Sequence, residues 1–525
     1  MESRHKFRVL LFPFFGLLAA CGSDAGGGSG GGGTSSGGGN GTTWTPNVFL
    51  PSSQFDNMCA TPRAGTSDRQ GTVADENRWL RSWTNELYLW YGEVTDRDPA
   101  TFGTTSAYFD VLKTMATTPS GQDKDKFHFT YATNVWQSLS QGGVEAGYGA
   151  EFAILAGRPP RRIVVAFTDP GSPAAGQLAR GDEVLFVDGT DAVNGGTQAN
   201  VDALNAGLFP DATAESHTFI VRNVAGVQRT VTLSSASVTH VPVPIVKVFD
   251  PTTDPVGYIQ FNDHIATAEQ PLIDAVDTLK KAHVNDLILD LRYNGGGYLD
   301  MASEVAYMIG NTTLTAGQTF EKIVFNSKNP NKNPVTGEAL TPTPFHTTTQ
   351  GFQGASGRAL PTLNLDRVYI LTGPGTCSAS ESIINSLRGV AVKVYIIGST
   401  TCGKPYGFYP TDNCGTTYFT IQFRGENAAS FGDYTDGFSA ANQPAPAGTS
   451  VPGCSVADDF THSMGDAAEG RVAAALAFRA SNNQSCPAAS GFAPPLLSKS
   501  STFSDQGRGL EVSKPAARLN RIVRL

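Results

Sequence analysis

Val368-Tyr-Ile-Leu-Thr-Gly-Pro-Gly-Thr-Cys-Ser-Ala-Ser-Glu-Ser-Ile-Ile384 reads as an apolar strand, a tight Gly/Pro turn and the first turns of a helix. A strand feeding a helix through so short a turn is the repeating unit of an α/β layer. The unit recurs on both sides. Upstream, β-type runs at 257–261 and 286–291 alternate with helical runs at 268–282 and 299–308. Within and after the quoted stretch, strands at 367–371 and 391–397 flank a helix at 379–387. This predicts an α/β layered core over 241–482, with the loops after its strands free to carry chemistry.

Three of those loops hold the candidate residues. Ser378 stands at the start of a helix, near the positive end of its dipole. The same Ser378-Ala-Ser-Glu381 is also a capping box, a feature with no catalytic meaning of its own. Leu287-Ile-Leu-Asp-Leu-Arg-Tyr-Asn-Gly-Gly-Gly297 is a buried strand running into three glycines. Such a turn can adopt φ > 0 and present backbone amides to an oxyanion, although three glycines alone equally describe a plain loop. Ile396-Ile-Gly-Ser-Thr-Thr-Cys-Gly-Lys-Pro-Tyr406 ends another apolar strand in a loop with a single lysine, Lys404. A lone lysine is ordinarily solvated, and only burial in an apolar site makes it a base near neutral pH. Ser-His-Asp chemistry is not signalled. No Gly-x-Ser-x-Gly elbow joins a strand to a helix, and His264, the one histidine near the core motifs, reads as a satisfied loop residue. His128, His217, His240, His283, His346 and His462 have no companion motif.

Taken together, the three segments resemble the carboxy-terminal processing (tail-specific) protease family, in which "DLR.N.GG", "SASE" and "GK" motifs follow a PDZ domain. The resemblance spans about 78–480. It implies a crotonase/ClpP-like layered protease core with an inserted β-rich PDZ-like domain and a small N-terminal helical domain. It further implies that Ser378 is the nucleophile and that Lys404, 26 residues on, is the general base. The amides of Gly296 and Ala379 would form the oxyanion hole, Glu381 would orient and cap, and neither metal nor cofactor would be needed. Two positions depart from the family. Phe408 stands where members often carry a glutamine that helps place the lysine, so an orienting group must come from elsewhere. Cys377 and Cys402 replace small residues beside nucleophile and base, either tying the two loops together or simply packing.

Ahead of the core, residues 141–240 change to short β-like runs at 162–167, 183–187, 217–222 and 230–233, separated by Gly, Pro and Asp turns. Within them Gly171-Ser-Pro-Ala-Ala-Gly-Gln-Leu-Ala-Arg-Gly-Asp-Glu-Val-Leu-Phe-Val-Asp-Gly189 resembles the "GSPA…GL…GDEIL.VNG" stretch of PDZ domains. A PDZ domain adds an extended tail to a sheet edge and receives its carboxylate on loop amides. Gly147, Tyr148, Gly149 and Ala150 would be that loop, and a structural β-domain with a blocked groove is the competing reading. Residues 47–140 are expected to be helical, chiefly through 75–91 (DENRWLRSWTNELYLWY), whose Trp79, Leu80, Trp83, Leu87 and Trp90 share a face as in an ordinary core helix.

The chain opens with Arg4, Lys6 and Arg8 and an apolar run at 9–20 broken by Pro13, the layout of a signal peptide over residues 1–20. The twelve residues of this run fall short of the ~20 apolar residues that a membrane span needs. Leu18-Ala-Ala-Cys21 resembles a bacterial lipobox, which makes Cys21 a lipid anchor; an ordinary cleavage site before a cysteine is the alternative. The Gly/Ser-rich linker to residue 46 supplies the tether. Localisation is therefore expected in the bacterial cell envelope, lipid-anchored and facing the periplasm. Removing three basic residues and one acidic residue with the leader moves the formal charge from −9 to −11, which excludes a nucleic-acid binder. Six mature cysteines in an oxidising compartment allow fifteen pairings. Cys402 and Cys414 are the expected pair, across a turn containing Pro410 and Asn413. No spacing of Cys and His suggests zinc. The tail at 483–525 ends in Ile522-Val-Arg-Leu525, an apolar carboxy-terminus of the kind PDZ grooves accept.

The expected function is a serine endopeptidase that cleaves exported proteins whose free carboxy-terminal tails the PDZ-like domain captures. A catalytically silent tail-binding scaffold is the first alternative, and a non-proteolytic carrier on a similar core the second.

Overall fold

Side chains along a strand alternate between faces, so the near-continuous apolar runs of the core demand cover on both sides. Val368 and Ile370 pack into one apolar cluster, Tyr369 and Leu371 into another. A computed structural model of the chain describes residues 44–446 and 448–491. The expected signal peptide, Cys21, nearly all of the linker and the tail from 492 lie outside the described residues.

Six strands make the central sheet, in sequence order: β1 (Ile245–Phe249), β2 (Val256–Gln260), β3 (Asp286–Asp290), β4 (Arg367–Thr372), β5 (Lys393–Gly398) and β6 (Gly453–Ser455). β1 runs antiparallel to β2 and the others are parallel. Helices α1 (Glu269–Lys281), α2 (Leu299–Ile309) and α3 (Ala379–Gly389) cover one face through Leu272, Val305 and Ile383. The other face is closed by α4 (Gly470–Ala480) through Val472 and Phe478. The α/β layered core is thus present, and the seven elements expected in it lie within two residues of their bounds, while β1, β6 and α4 add to them. β5 starts at Lys393 because Ala391 turns the chain at φ +63°.

This topology sets the chemistry. β3, β4 and β5 are neighbours, and each releases a motif-bearing loop at its carboxy-terminal end, where parallel sheets bind ligands. The end of β3 is pinned by Arg292, whose buried guanidinium holds Asp290 at 3.0 Å, Asp458 at 2.8 Å and Glu469 at 2.8 Å. The arginine of the "DLR" run is therefore an internal tie to the start of α4.

The N-terminal region is mixed rather than purely helical, and it is stitched to the core. Its main helix spans Val73–Leu87 and opens with a capping box in which Asp75 N–H donates to Thr72 Oγ1 at 3.2 Å. It stops short of the expected Tyr91 because Leu89 N–H turns to Ile421 O at 2.8 Å. The strand Phe129–Ala132 joins Thr416–Phe419, and a Cys59–Cys414 disulfide closes the same seam.

That bond corrects the expected Cys402–Cys414 pair. Cys414 stands at the tip of a hairpin formed by Thr411–Asn413 and Thr416–Phe419, where φ is +52°, and faces the N-terminal region. Cys402 instead meets Cys377, and Cys454 meets Cys486.

Between 144 and 239 lies an antiparallel sheet ordered Gln228–Ser234, Ser216–Arg222, Glu183–Val187, Arg162–Thr168 and Ala150–Ala156. The helix Gln198–Leu208 and this sheet share a separate apolar cluster that includes Phe152, Leu204 and Phe219. Val144–Gly147 and Ala236–Thr239 pair where the chain enters and leaves. Ala150–Ala156 forms one edge of the sheet.

Candidate active site

Ser378 caps α3 with φ +55° and ψ −118°, a conformation that costs a non-glycine residue about 1–3 kcal/mol and persists only where its surroundings impose it. The surroundings are on both sides. Cys377 N–H donates to Asn294 O at 3.1 Å, and Ser382 N–H donates to Ser378 O at 2.9 Å. Glu381 returns its carboxylate to Ser378 N–H at 3.1 Å.

Glu381 does more than cap. Its buried carboxylate also accepts Gly403 N–H at 2.8 Å, Lys404 N–H at 2.8 Å and Thr401 Oγ1 at 2.5 Å. One side chain thereby joins the loop after β4 to the loop after β5. Burial raises its pKa, and these donors oppose the rise. The Cys377–Cys402 disulfide makes the same junction covalently. Cys377, Glu381 and Cys402 lie close enough to suggest a metal site, but both sulfurs are spent in the disulfide and no thiolate remains as ligand.

Lys404 is 1% exposed, and among the described residues its Nζ meets no hydrogen-bond partner. The Phe408 ring centroid lies 4.1 Å from Nζ and that of Phe127 lies 5.2 Å away. Burial lowers the lysine to about 7, against the attraction of Asp125 and Glu381. Near neutral pH it is therefore divided between amine and ammonium.

The glycine turn differs from expectation in one respect. Gly296 N–H is committed to Asn294 Oδ1 at 2.9 Å, so it is not the oxyanion donor expected of it. Its absent side chain still matters. At φ +95° a Cβ there would lie 2.8 Å from Ser378 Cβ and 2.9 Å from Ala379 N. Gly297, with Ser378, Ala379 and Lys404, borders a cavity of ≈ 20 Å³, room for about one water. Asn294 Oδ1 also receives His264 Nδ1 at 2.9 Å, so the fully buried His264 braces the turn, as befits a loop histidine. The same cavity reaches Glu321, whose carboxylate accepts Ser382 Oγ at 2.8 Å and which burial pushes to about 7. Glu321, Asp125 and Phe127 belong to no recognisable motif and were invisible in the sequence. The Phe408 departure was the one hint that the lysine needed other neighbours.

Residues 255–408, from the start of β2 to Phe408, match peptidase family S41. The chain carries an S41 peptidase domain. Two curated proteins are similar to it. The carboxyl-terminal-processing protease of Picosynechococcus sp. is 25% identical over 240 residues, 45% of this chain and 49% of that one. The chloroplastic C-terminal processing peptidase of Tetradesmus obliquus is 27% identical over 281 residues, 50% of this chain and 52% of that one. The chain spans about half the length of these curated relatives. A crystal structure of a Bacteroides fragilis protein described as an S41 protease shares the fold, with a TM-score of 0.56 and 21% identity over 78% of this chain and 98% of that one. Ser378, Glu381 and Lys404 lie inside the S41 match, whereas Asp125 and Phe127 precede it.

Gly147, Tyr148, Gly149 and Ala150 border a second cavity, of ≈ 80 Å³, between the 144–239 sheet and the core loops at Asn262 and Gly295. Tyr148 points inward, its hydroxyl donating to Gly207 O at 3.0 Å. Gly149 at φ +67° has no room for a side chain, since a Cβ would stand 2.3 Å from Ser172 Cβ. Beside the loop His240 lies between Glu145 at 3.0 Å and Asp169 at 2.9 Å; burial opposes its charge, but the pairing with these two carboxylates outweighs it and pushes the imidazole up to about 10.

Proposed function

We propose that the chain is a serine endopeptidase of the carboxy-terminal processing type, working through a Ser378–Lys404 dyad. The observation that carries this reading is the meeting of a conformationally strained serine and a buried lysine near its neutral form in one cavity, with Glu381 bonded to both loops. The neutral amine of Lys404 takes the Oγ proton as Ser378 attacks the peptide carbonyl. The amides of Gly297 and Ala379 receive the oxyanion, each such donor contributing about 3 kcal/mol to the transition state. The ammonium then protonates the departing amine, and a water deprotonated by the same lysine releases the acyl group. No metal takes part.

The 144–239 sheet is the PDZ-like capture module. Its edge strand Ala150–Ala156 takes a substrate tail as an added strand, with the amides of Gly147, Tyr148, Gly149 and Ala150 at the tail carboxylate. Substrates are exported proteins, reached from a lipid anchor at Cys21 on the periplasmic side of the cell envelope. The test is digestion of an unfolded protein by the chain without residues 1–43, beside Ser378→Ala and Lys404→Ala. Cleavage lost in both variants with the fold intact is expected. Unchanged cleavage in either sinks the dyad, and no cleavage by any form favours the silent scaffold.

A further inference from the structure

Lys404 is fixed at its root by the bond from its backbone N–H to Glu381, yet nothing hydrogen-bonds its tip among the described residues. What surrounds Nζ is aromatic. The Phe408 centroid at 4.1 Å is within the range of a cation–π contact, and so is the Phe127 centroid at 5.2 Å. Both rings are buried and wedged in turn. Phe408 meets Phe419 at 5.4 Å and Phe129 at 5.8 Å, and Phe127 meets Tyr406 at 6.4 Å.

We propose that Phe408, with Phe127 from the N-terminal region, is the positioning device for the general base: an aromatic clamp that holds Lys404 Nζ toward Ser378 in place of a hydrogen-bonding side chain. The proposal rests on the Ser378–Lys404 reading above. A hydrogen-bond acceptor beside Nζ would favour the ammonium over the amine and withhold the base from the serine. A ring face attracts the ammonium as well, but less strongly than a charge-assisted hydrogen bond, so it fixes Nζ with a smaller bias against the amine, whose lone pair stays available to Ser378 Oγ.

The charged neighbours do not supply the missing bond. Asp125 accepts Tyr88 O–H at 2.7 Å and Phe127 N–H at 3.0 Å, and faces His128 at 3.6 Å. Glu381 is occupied by the two loops, and Glu321 by Ser382. Lys126 follows Asp125 in the chain, and the phenol of Tyr406 shares the cavity. Asp125 and Glu381 attract the ammonium from a distance while the rings set where it sits. Because Phe127 and Asp125 precede the S41 match, the N-terminal region completes the site.

The test uses the full chain with Phe408→Gln, Phe408→Tyr, Phe408→Leu and Lys404→Ala, followed across pH by cleavage of an unfolded protein and by labelling of Ser378 with a fluorophosphonate. Phe408→Gln gives the ammonium an acceptor. Its rate profile should rise about one pH unit later, a loss of about tenfold at the foot of the profile with the plateau within about threefold. Phe408→Tyr keeps the ring and should stay within about twofold of wild type, while Phe408→Leu should lower kcat about tenfold at unchanged KM. Profiles of Phe408→Gln and Phe408→Leu that both track wild type overturn the clamp. If Phe408→Gln fails to fold, equal labelling by Phe408→Leu and Phe408→Tyr overturns it instead. Labelling of Lys404→Ala at the wild-type rate overturns the dyad itself and, with it, the clamp.

Discussion

Replacing Lys404 with methionine should end catalysis and at the same time stabilise the protein. Burial lowers the lysine from its ordinary 10.5 to about 7. Each pKa unit corresponds to about 1.4 kcal/mol, so keeping the ammonium in place costs up to about 5 kcal/mol. Methionine has a similar volume and packs well on aromatic rings, but it forfeits the cation–π attraction of about 0.5–2 kcal/mol, leaving a net gain of about 3 kcal/mol. The sign follows from proton counting. Below about pH 7 the lysine is protonated in both states and its cost is complete. Between about 7 and 10.5 the unfolded chain binds more protons than the native protein, so wild-type stability climbs with pH and the advantage of methionine shrinks. Thermal unfolding of Lys404→Met and wild type near pH 6 and near pH 9.5 reads this directly. At the lower pH the variant should melt at least about 5 °C higher, given about 2–4 °C per kcal/mol for a core of this size. A variant that melts at or below wild type near pH 6, or whose advantage does not shrink with pH, refutes the reasoning.

Three further outcomes follow from the same structure. Glu321 is raised from 4.5 to about 7 by burial, so native stability falls as pH rises across that window, and Glu321→Gln should stabilise the protein above it by up to about 3 kcal/mol, read by unfolding at pH 5 and pH 8. Arg292→Leu leaves Asp290 and Glu469 buried without their cation, while Asp458 keeps Arg180 at 2.6 Å, and should cost about 3–5 kcal/mol, seen as a large fall in Tm. Removing the Cys377–Cys402 bridge by the double alanine variant should lower stability by about 2–4 kcal/mol and kcat about tenfold while KM is little changed, because hydrogen bonds alone, those of Glu381 and that from Cys402 N–H to Thr376 O at 3.1 Å among them, then hold the two loops together.

The core was legible because a sheet covered on both faces writes itself as unbroken apolar runs, and β3 and β4 fall where those runs lie. Ser378 and Lys404 stood out because they sit in loops directly after such strands. Glu381 was legible only in part, since a capping box is local in sequence whereas its bonds to Gly403 and Lys404 cross between loops. The disulfides depend on distances through space between residues 25 and 355 positions apart, which turn chemistry within one loop does not encode. That Gly296 turns its N–H to Asn294 Oδ1 rests on one hydrogen bond, of which three identical residues carry no mark. Phe127 and Asp125 reach Lys404 only because Phe129–Ala132 is zipped to Thr416–Phe419, a pairing made across the fold.

The most direct measurement of the central claim is mass spectrometry of the chain after brief exposure to a fluorophosphonate near pH 8. One adduct on the peptide containing Ser378, absent from Ser378→Ala and formed at least about a hundredfold more slowly in Lys404→Ala, is the predicted result. An adduct on a different serine, or one on Ser378 whose rate ignores the loss of Lys404, would contradict the dyad.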